Sequence, residues 1–168
     1  MTNIPAKSEL KEESKQAYFW DCYSREMAIT DESALALFLQ TANTMPAWFT
    51  GLMSIRNKVV SKLGLKDLGQ IGDLDVSKQV QDYKIGDRVG IFHLISNSHD
   101  EVVLEDRDKH LSVKVSIFIE RVEGKSKVYT SSLVHVNNRF GKVYMFIITP
   151  VHKVIVPLML NKLSKRYA

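Results

Sequence analysis

Cysteine is nearly missing from this chain: Cys22 is the only one in 168 residues. A lone cysteine excludes an intrachain disulfide and any CxxC metal or redox pair, so the fold must hold through its core. There is no HExxH word, and the five histidines show no metal-ligand spacing. We therefore expect no metal and no cofactor. Gly64, Gly69 and Gly72 form neither a Walker loop nor a dinucleotide loop. No nucleophile-elbow word surrounds any serine, and Ser131 and Ser132 fall inside a strand-like run. Cys22 lies in an aromatic-rich run, which reads as buried rather than activated.

Charge of one sign is also lacking. Twenty-three basic and 19 acidic residues leave a net charge of +4, and no aromatic–basic strand motif accompanies it, so nucleic acid is not an expected partner. Lys162, Lys165 and Arg166 cluster at the end of the last helical pattern, where cations suit a helix C-terminus. Met1 to Lys15 is polar without an apolar signal-like segment, which points to a cytoplasmic protein. One membrane-like run, Val143 to Leu160, is interrupted near its middle by Thr149, Pro150, His152 and Lys153. That argues for a buried helix and against stable membrane insertion.

An apolar fraction of 45% is ordinary for a globular chain. A chain of this length suits one domain that buries roughly 70% of its unfolded surface. We read residues 1–15 as a flexible or loosely docked arm and residues 16–168 as a single domain. Tyr18 to Ile29 forms a first strand, and Thr30 and Asp31 offer capping oxygens to a helix ending near Ala42. A second helix runs from about Ala47 to Leu63. Trp48, Leu52, Ile55, Val59 and Leu63 lie along it, and Gly64 terminates it. Leu65 to Gly86 is the least legible stretch, with a short helix or loop over Asp75 to Asp82.

From Gly86 onward the apolar period becomes two. Three long strands follow, over Arg88–Ser96, His110–Val122 and Lys127–Val136, with a short one at Glu101–Glu105. Leu111, Val113, Val115, Ile117 and Ile119 share a face opposite Ser112, Lys114, Ser116 and Phe118. That polar side should be wet or line a polar pocket. A long apolar helix over Lys142–Lys165 ends the chain, kinked at Pro150. The expected architecture is α+β: a curved antiparallel sheet wrapped around the C-terminal helix, with two shorter helices after the first strand.

The ordered words Gly86-Asp87-Arg88-Val89-Gly90-Ile91-Phe92, Asp108-Lys109-His110-Leu111 and Asn138-Arg139-Phe140-Gly141-Lys142-Val143-Tyr144 resemble an uncharacterised bacterial family, domain of unknown function 2867. The match continues through Pro150-Val151-His152-Lys153, and Trp48 and Ile55-Arg56-Asn57 resemble its early helix. This resemblance implies a START-like, helix-grip fold, a superfamily that includes lipid carriers, small-molecule binders and cyclase-like enzymes. The chain departs from the family in carrying Val113 and Val151 where members often have an aromatic, changes that would enlarge or reshape a cavity.

A helix gripped by a sheet can enclose a pocket, so the candidate ligand-binding residues are Arg56, His110, Tyr144 and His152. Glu105, Asp108, Thr130 and Ser132 are supporting candidates. His110 either contacts a polar ligand head, with Asp108 or Glu105 orienting its ring, or is a structural histidine in a charged hairpin. His152 either takes a carbonyl freed by Pro150 or points into the pocket. Arg56 either clamps an anion at the cavity mouth or pairs with a surface acid. Thr130 and Ser132 interrupt an apolar strand face, leaving room for a ligand or bonding across strands. The leading function is binding of a small apolar or amphipathic ligand. The alternatives are an enzyme using acid–base chemistry on such a molecule and a non-catalytic structural or oligomeric partner. The oligomeric state is not legible in the sequence.

Overall fold

The computed structural model describes residues 1–28, 31–62, 74–75, 77–122 and 125–167. The roles expected of Thr30, of the Val59 and Leu63 side chains, and of Gly64, Gly69, Gly72 and Gly124 lie outside what is described. The described elements are α1 (Leu10–Glu13), β1 (Phe19–Met27), α2 (Ala34–Ala42), α3 (Ala47–Lys62), β2 (Arg88–Val89), β3 (Phe92–Asn97), β4 (Glu101–Arg107), β5 (Leu111–Val122), β6 (Lys125–Val136) and α4 (Arg139–Arg166). Six antiparallel strands form one sheet in the order β1-β6-β5-β4-β3-β2. The α+β arrangement read from the residue periods, a curved antiparallel sheet with a long C-terminal helix and two shorter helices after the first strand, is the one observed.

The long strands pair without interruption, from Leu111↔Val136 to Val122↔Lys125 between β5 and β6 and from Phe19↔Val134 to Met27↔Ser126 between β1 and β6. Because side chains alternate along a strand, this register settles which residues look inward. Leu94, Leu104, Ile117, Ile119 and Val128 meet α2 and the end of α4 in the main core. The two helices after β1 occur as expected, but Ser33 rather than Asp31 caps α2, its hydroxyl accepting from the Ala36 amide at 3.3 Å.

The strand expected over Arg88–Ser96 is instead two. Val89 and Phe92 pair across a two-residue turn, with φ +61° at Gly90 and no positive φ at Ile91. This is the type II′ hairpin turn, which takes glycine at its first central position. The alternating apolar pattern runs straight through the turn and conceals it.

The arm is not loose. Ile4 and Leu10 are buried on the outer face of the sheet, Ile4 against Cys22, Phe118 and Tyr129, and Leu10 against Val103 and Leu133. The polar side of β5 is therefore neither wet nor a pocket. Ser116 and Ser8 both donate to Glu101 Oε1, at 2.7 and 2.6 Å, and the Glu9 amide donates to Glu101 Oε2 at 3.0 Å. Lys114 donates to Glu13 at 2.7 Å. Polar arm residues dock because the strand offers polar partners in register, which low hydrophobicity alone does not reveal.

Asn138 caps α4 through a hydrogen bond accepted from the Gly141 amide at 3.1 Å, so the helix starts three residues earlier than the expected Lys142. A β-carbon at Gly141 would lie 2.6 Å from the His110 carbonyl oxygen, which restricts that position to glycine. The helix continues through Pro150 and Pro157. Met145, Ile155, Met159, Leu160 and Leu163 are buried, but the helix is not the buried one expected: Ile147 is 63% exposed and Phe146 83%. Nothing described covers its outer side.

Candidate functional site

The inner face of the sheet and the facing sides of α3 and α4 enclose a cavity of about 470 Å³. Its walls are mainly aliphatic and aromatic: Val113, Val115 and Ile117 come from β5, Phe49 and Met53 from α3, and Ile148, Val151 and Ile155 from α4. The two-residue period of β5 and β6 aims these side chains inward. Small residues at Thr130 and Ser132, where a strand core would otherwise carry large apolar groups, help leave space open.

A few polar groups converge on this space. Asp21 and Ser132 are direct partners across the β1–β6 ladder, and both are essentially inaccessible to solvent. Above them, His152 of α4 sets Nδ1 3.0 Å from Asp21 Oδ2 and Nε2 3.4 Å from the Ser132 hydroxyl. Phe19 meets the imidazole edge-on at 6.4 Å. With Asp21 ionised, the carboxylate holds the proton on Nδ1, leaving the Nε2 lone pair toward Ser132 and the cavity. The other carboxylate oxygen, Asp21 Oδ1, is buried without a hydrogen-bond partner. Burial, followed by repulsion from Asp21, raises the phenol pKa of Tyr23 on the same strand face.

The second polar group lies nearer the start of α4. Arg56 of α3 donates from Nε to Tyr144 Oη at 3.1 Å, its guanidinium carbon 5.7 Å from that ring's centroid, and donates from Nη1 to Asn57 at 2.8 Å. Arg56, Tyr144, Thr130, Ser132 and His152 all line the cavity. Tyr144 and His152 are separated along α4 by about 12 Å at the ordinary helical rise.

The remaining candidates sit elsewhere. His110 packs against Phe140 at 4.8 Å, and its Nδ1 lies about hydrogen-bond distance, 2.9 to 3.1 Å, from the Asn138 amide group. Asp108 does not orient the His110 ring. It closes the turn by accepting from the His110 and Leu111 amides at 2.6 and 3.0 Å. Glu105 accepts from Ser112 at 2.7 Å on the outer face. The local sequence cluster breaks up because adjacent strand residues point to opposite faces, and the turn spends its carboxylate on backbone.

Asp21 was not singled out by sequence reasoning, nor was Asp106, a buried cavity-lining residue of β4. The available signal was a carboxylate placed between Trp20 and Cys22 in the apolar first half of β1, where a buried acid needs a partner. Cys22 is buried on the outer face, and burial raises its thiol pKa, which disfavours the thiolate. Among the described residues, no group of three or more His, Cys, Asp or Glu is placed to hold a metal ion.

A family model described as Protein of unknown function (DUF2867) matches residues 14–159. The chain belongs to that family. The matched span of this DUF2867 member runs from just before β1 through most of α4, so it contains Asp21, Arg56, Ser132, Tyr144 and His152. No curated protein and no solved structure gives a significant match.

Proposed function

We propose that this DUF2867 member is a START-like protein that binds a small apolar or amphipathic molecule between its sheet and α4. The supporting observation is the cavity of about 470 Å³, apolar in its walls and furnished with a few convergent polar groups. Small-molecule sites have this character and commonly occupy about 300–1,000 Å³. The apolar body of the ligand would be buried, at about 0.8 kcal/mol per methylene before ordering and desolvation costs. Its polar end would meet His152 and Ser132, with Arg56 and Tyr144 about 12 Å along α4 to receive a second polar or anionic group.

Native mass spectrometry of protein purified from its own cells, together with uptake of an environment-sensitive apolar dye, tests the reading. We expect a co-purifying small molecule and dye uptake, both removed by Val115→Trp. Repeated recovery without any small molecule and without dye uptake overturns it. Asp21→Asn should retain dye uptake but weaken a co-purifying ligand bearing a hydroxyl or other donor by about tenfold, because His152 loses its orienting carboxylate.

The alignment of Asp21, His152 and Ser132 supports a second reading, acid–base catalysis on the bound molecule. The order matches that of a serine hydrolase, but Ser132 lies on an internal strand whose backbone donors serve β1 and β5, so no oxyanion hole adjoins it. Proton transfer to or from the ligand by His152 is the chemistry this geometry favours. Conversion of a metabolite, lost in His152→Gln while binding persists, would establish the enzyme. Binding without conversion would establish the carrier.

A further inference from the structure

We propose that the outer side of α3 and α4 docks on an anionic lipid bilayer, with α4 lying in the plane of the interface. On α4 the residues Val143, Phe146, Ile147, Val154 and Leu158 are exposed, Phe146 by 83%, Ile147 by 63% and Val143 by 60%. At 3.6 residues per turn, these five and the exposed Pro150 form one stripe about 120° wide and about 22 Å long. Single exposed apolar residues are ordinary, but a continuous stripe is not. Trp48, Leu52 and Ile55 add an exposed apolar edge on α3. Leu52, Ile55 and Ile147 also line the cavity, so the apolar surface continues into its mouth.

Charge identifies the occupant. Neither α3 nor α4 contains an acidic residue. Exposed Lys142 and Lys153 border the α4 stripe along one edge, with Arg139 before it and Lys165 after it. An apolar face on two helices whose charged residues are all cations complements anionic headgroups over acyl chains. A second copy of the chain is a poorer fit, because two-fold packing of this face on itself would bring like charges together.

The orientation follows from packing. By length and composition α4 could cross a membrane, yet its opposite side is committed to the core through Met145, Ile155, Met159 and Leu160. A helix anchored in this way, with Lys153 at mid-length, lies on a bilayer rather than spanning it. The inference goes beyond ligand binding, since docking requires no occupied cavity.

Flotation of the full chain with vesicles of phosphatidylcholine, alone or with about one third phosphatidylglycerol, tests the proposal. We expect association with the anionic vesicles at least about tenfold stronger than with the neutral ones, weakening as salt rises. Val143→Asp with Phe146→Asp should remove it without lowering Tm, because both side chains are exposed. Lys142→Glu with Lys153→Glu should abolish the preference for anionic vesicles. Val115→Trp should still float, which separates failure of the cavity reading from failure of docking. Absence of flotation, equal binding to both vesicle types, or a dimer in sedimentation equilibrium that Phe146→Asp dissociates while vesicles are ignored would each overturn the proposal.

Discussion

On the outer face of the sheet, the buried carboxyl of Glu101 takes hydrogen bonds from Ser8, Ser116 and the Glu9 amide, with Leu10 packed nearby. On the inner face, Asp21 is buried even more completely, yet only one of its oxygens has a partner, and about 470 Å³ of space lies beside the His152 it holds. The two faces are made by the same strands. Their difference separates a surface closed by a satisfied network from one that leaves a cavity, the space the proposed ligand would occupy. Satisfied polar networks rigidify a structure, whereas an unsatisfied buried acid beside a void costs stability and suits a site.

The largest expected effect comes from breaking the closed face. Glu101→Ala leaves two serine hydroxyls and an amide without their acceptor, so we expect a loss of about 3 kcal/mol by chemical denaturation. Apolar dye uptake by the folded protein should remain. If stability is unchanged, the outer network is not what closes that face.

Filling the open face should act in the opposite sense. Val115→Trp adds bulk where the wall meets space, so its stability change should stay within about 1.5 kcal/mol while dye and ligand binding disappear. A large destabilisation would show that the inner face is as tightly packed as the outer.

The smallest effect is a pH signature centred on Glu13 of the outer face. Burial alone would raise the Glu13 carboxyl, but hydrogen bonds and charge from Lys114 and His135 outweigh it and hold the group below its ordinary value. A depressed carboxyl contributes stability above its ordinary pKa and loses it as pH falls through the lower folded value. Glu13→Gln should therefore melt below the wild type at neutral pH, with the gap closing under acid conditions below about pH 4. Asp100, depressed chiefly by its hydrogen bond from Arg121, should add to the wild type's acid sensitivity in the same direction. A gap independent of pH would show that the Glu13 contacts act through packing rather than charge.

Much of the fold was legible because strand and helix periods are properties of the backbone. The inward face of β5, from Leu111 to Ile117, followed from parity, and so did the sheet–helix order. Arg56, Tyr144, His152, Thr130 and Ser132 were read as candidates and share the cavity. His110, Asp108 and Glu105 stood together in sequence, but strand alternation and turn hydrogen bonding kept them out of it. The Gly90 turn was hidden because the apolar alternation does not break there. The arm was read as flexible or loosely docked because the strand partners of Ser8, Glu9 and Glu13 lie far along the chain, as the 101-residue separation of Glu13 and Lys114 shows.

Local spacing alone settles that this chain forms strands, then an apolar helix, without disulfide or metal-motif support, since each follows from neighbouring residues and backbone geometry. It does not settle which face is filled. Asp21 and His152 lie 131 residues apart, and they meet only through the β1–β6 register and the placement of α4 across it. The cavity and the exposed stripe arise in the same way, from how far packing draws the helices onto the sheet, a balance struck over the whole molecule.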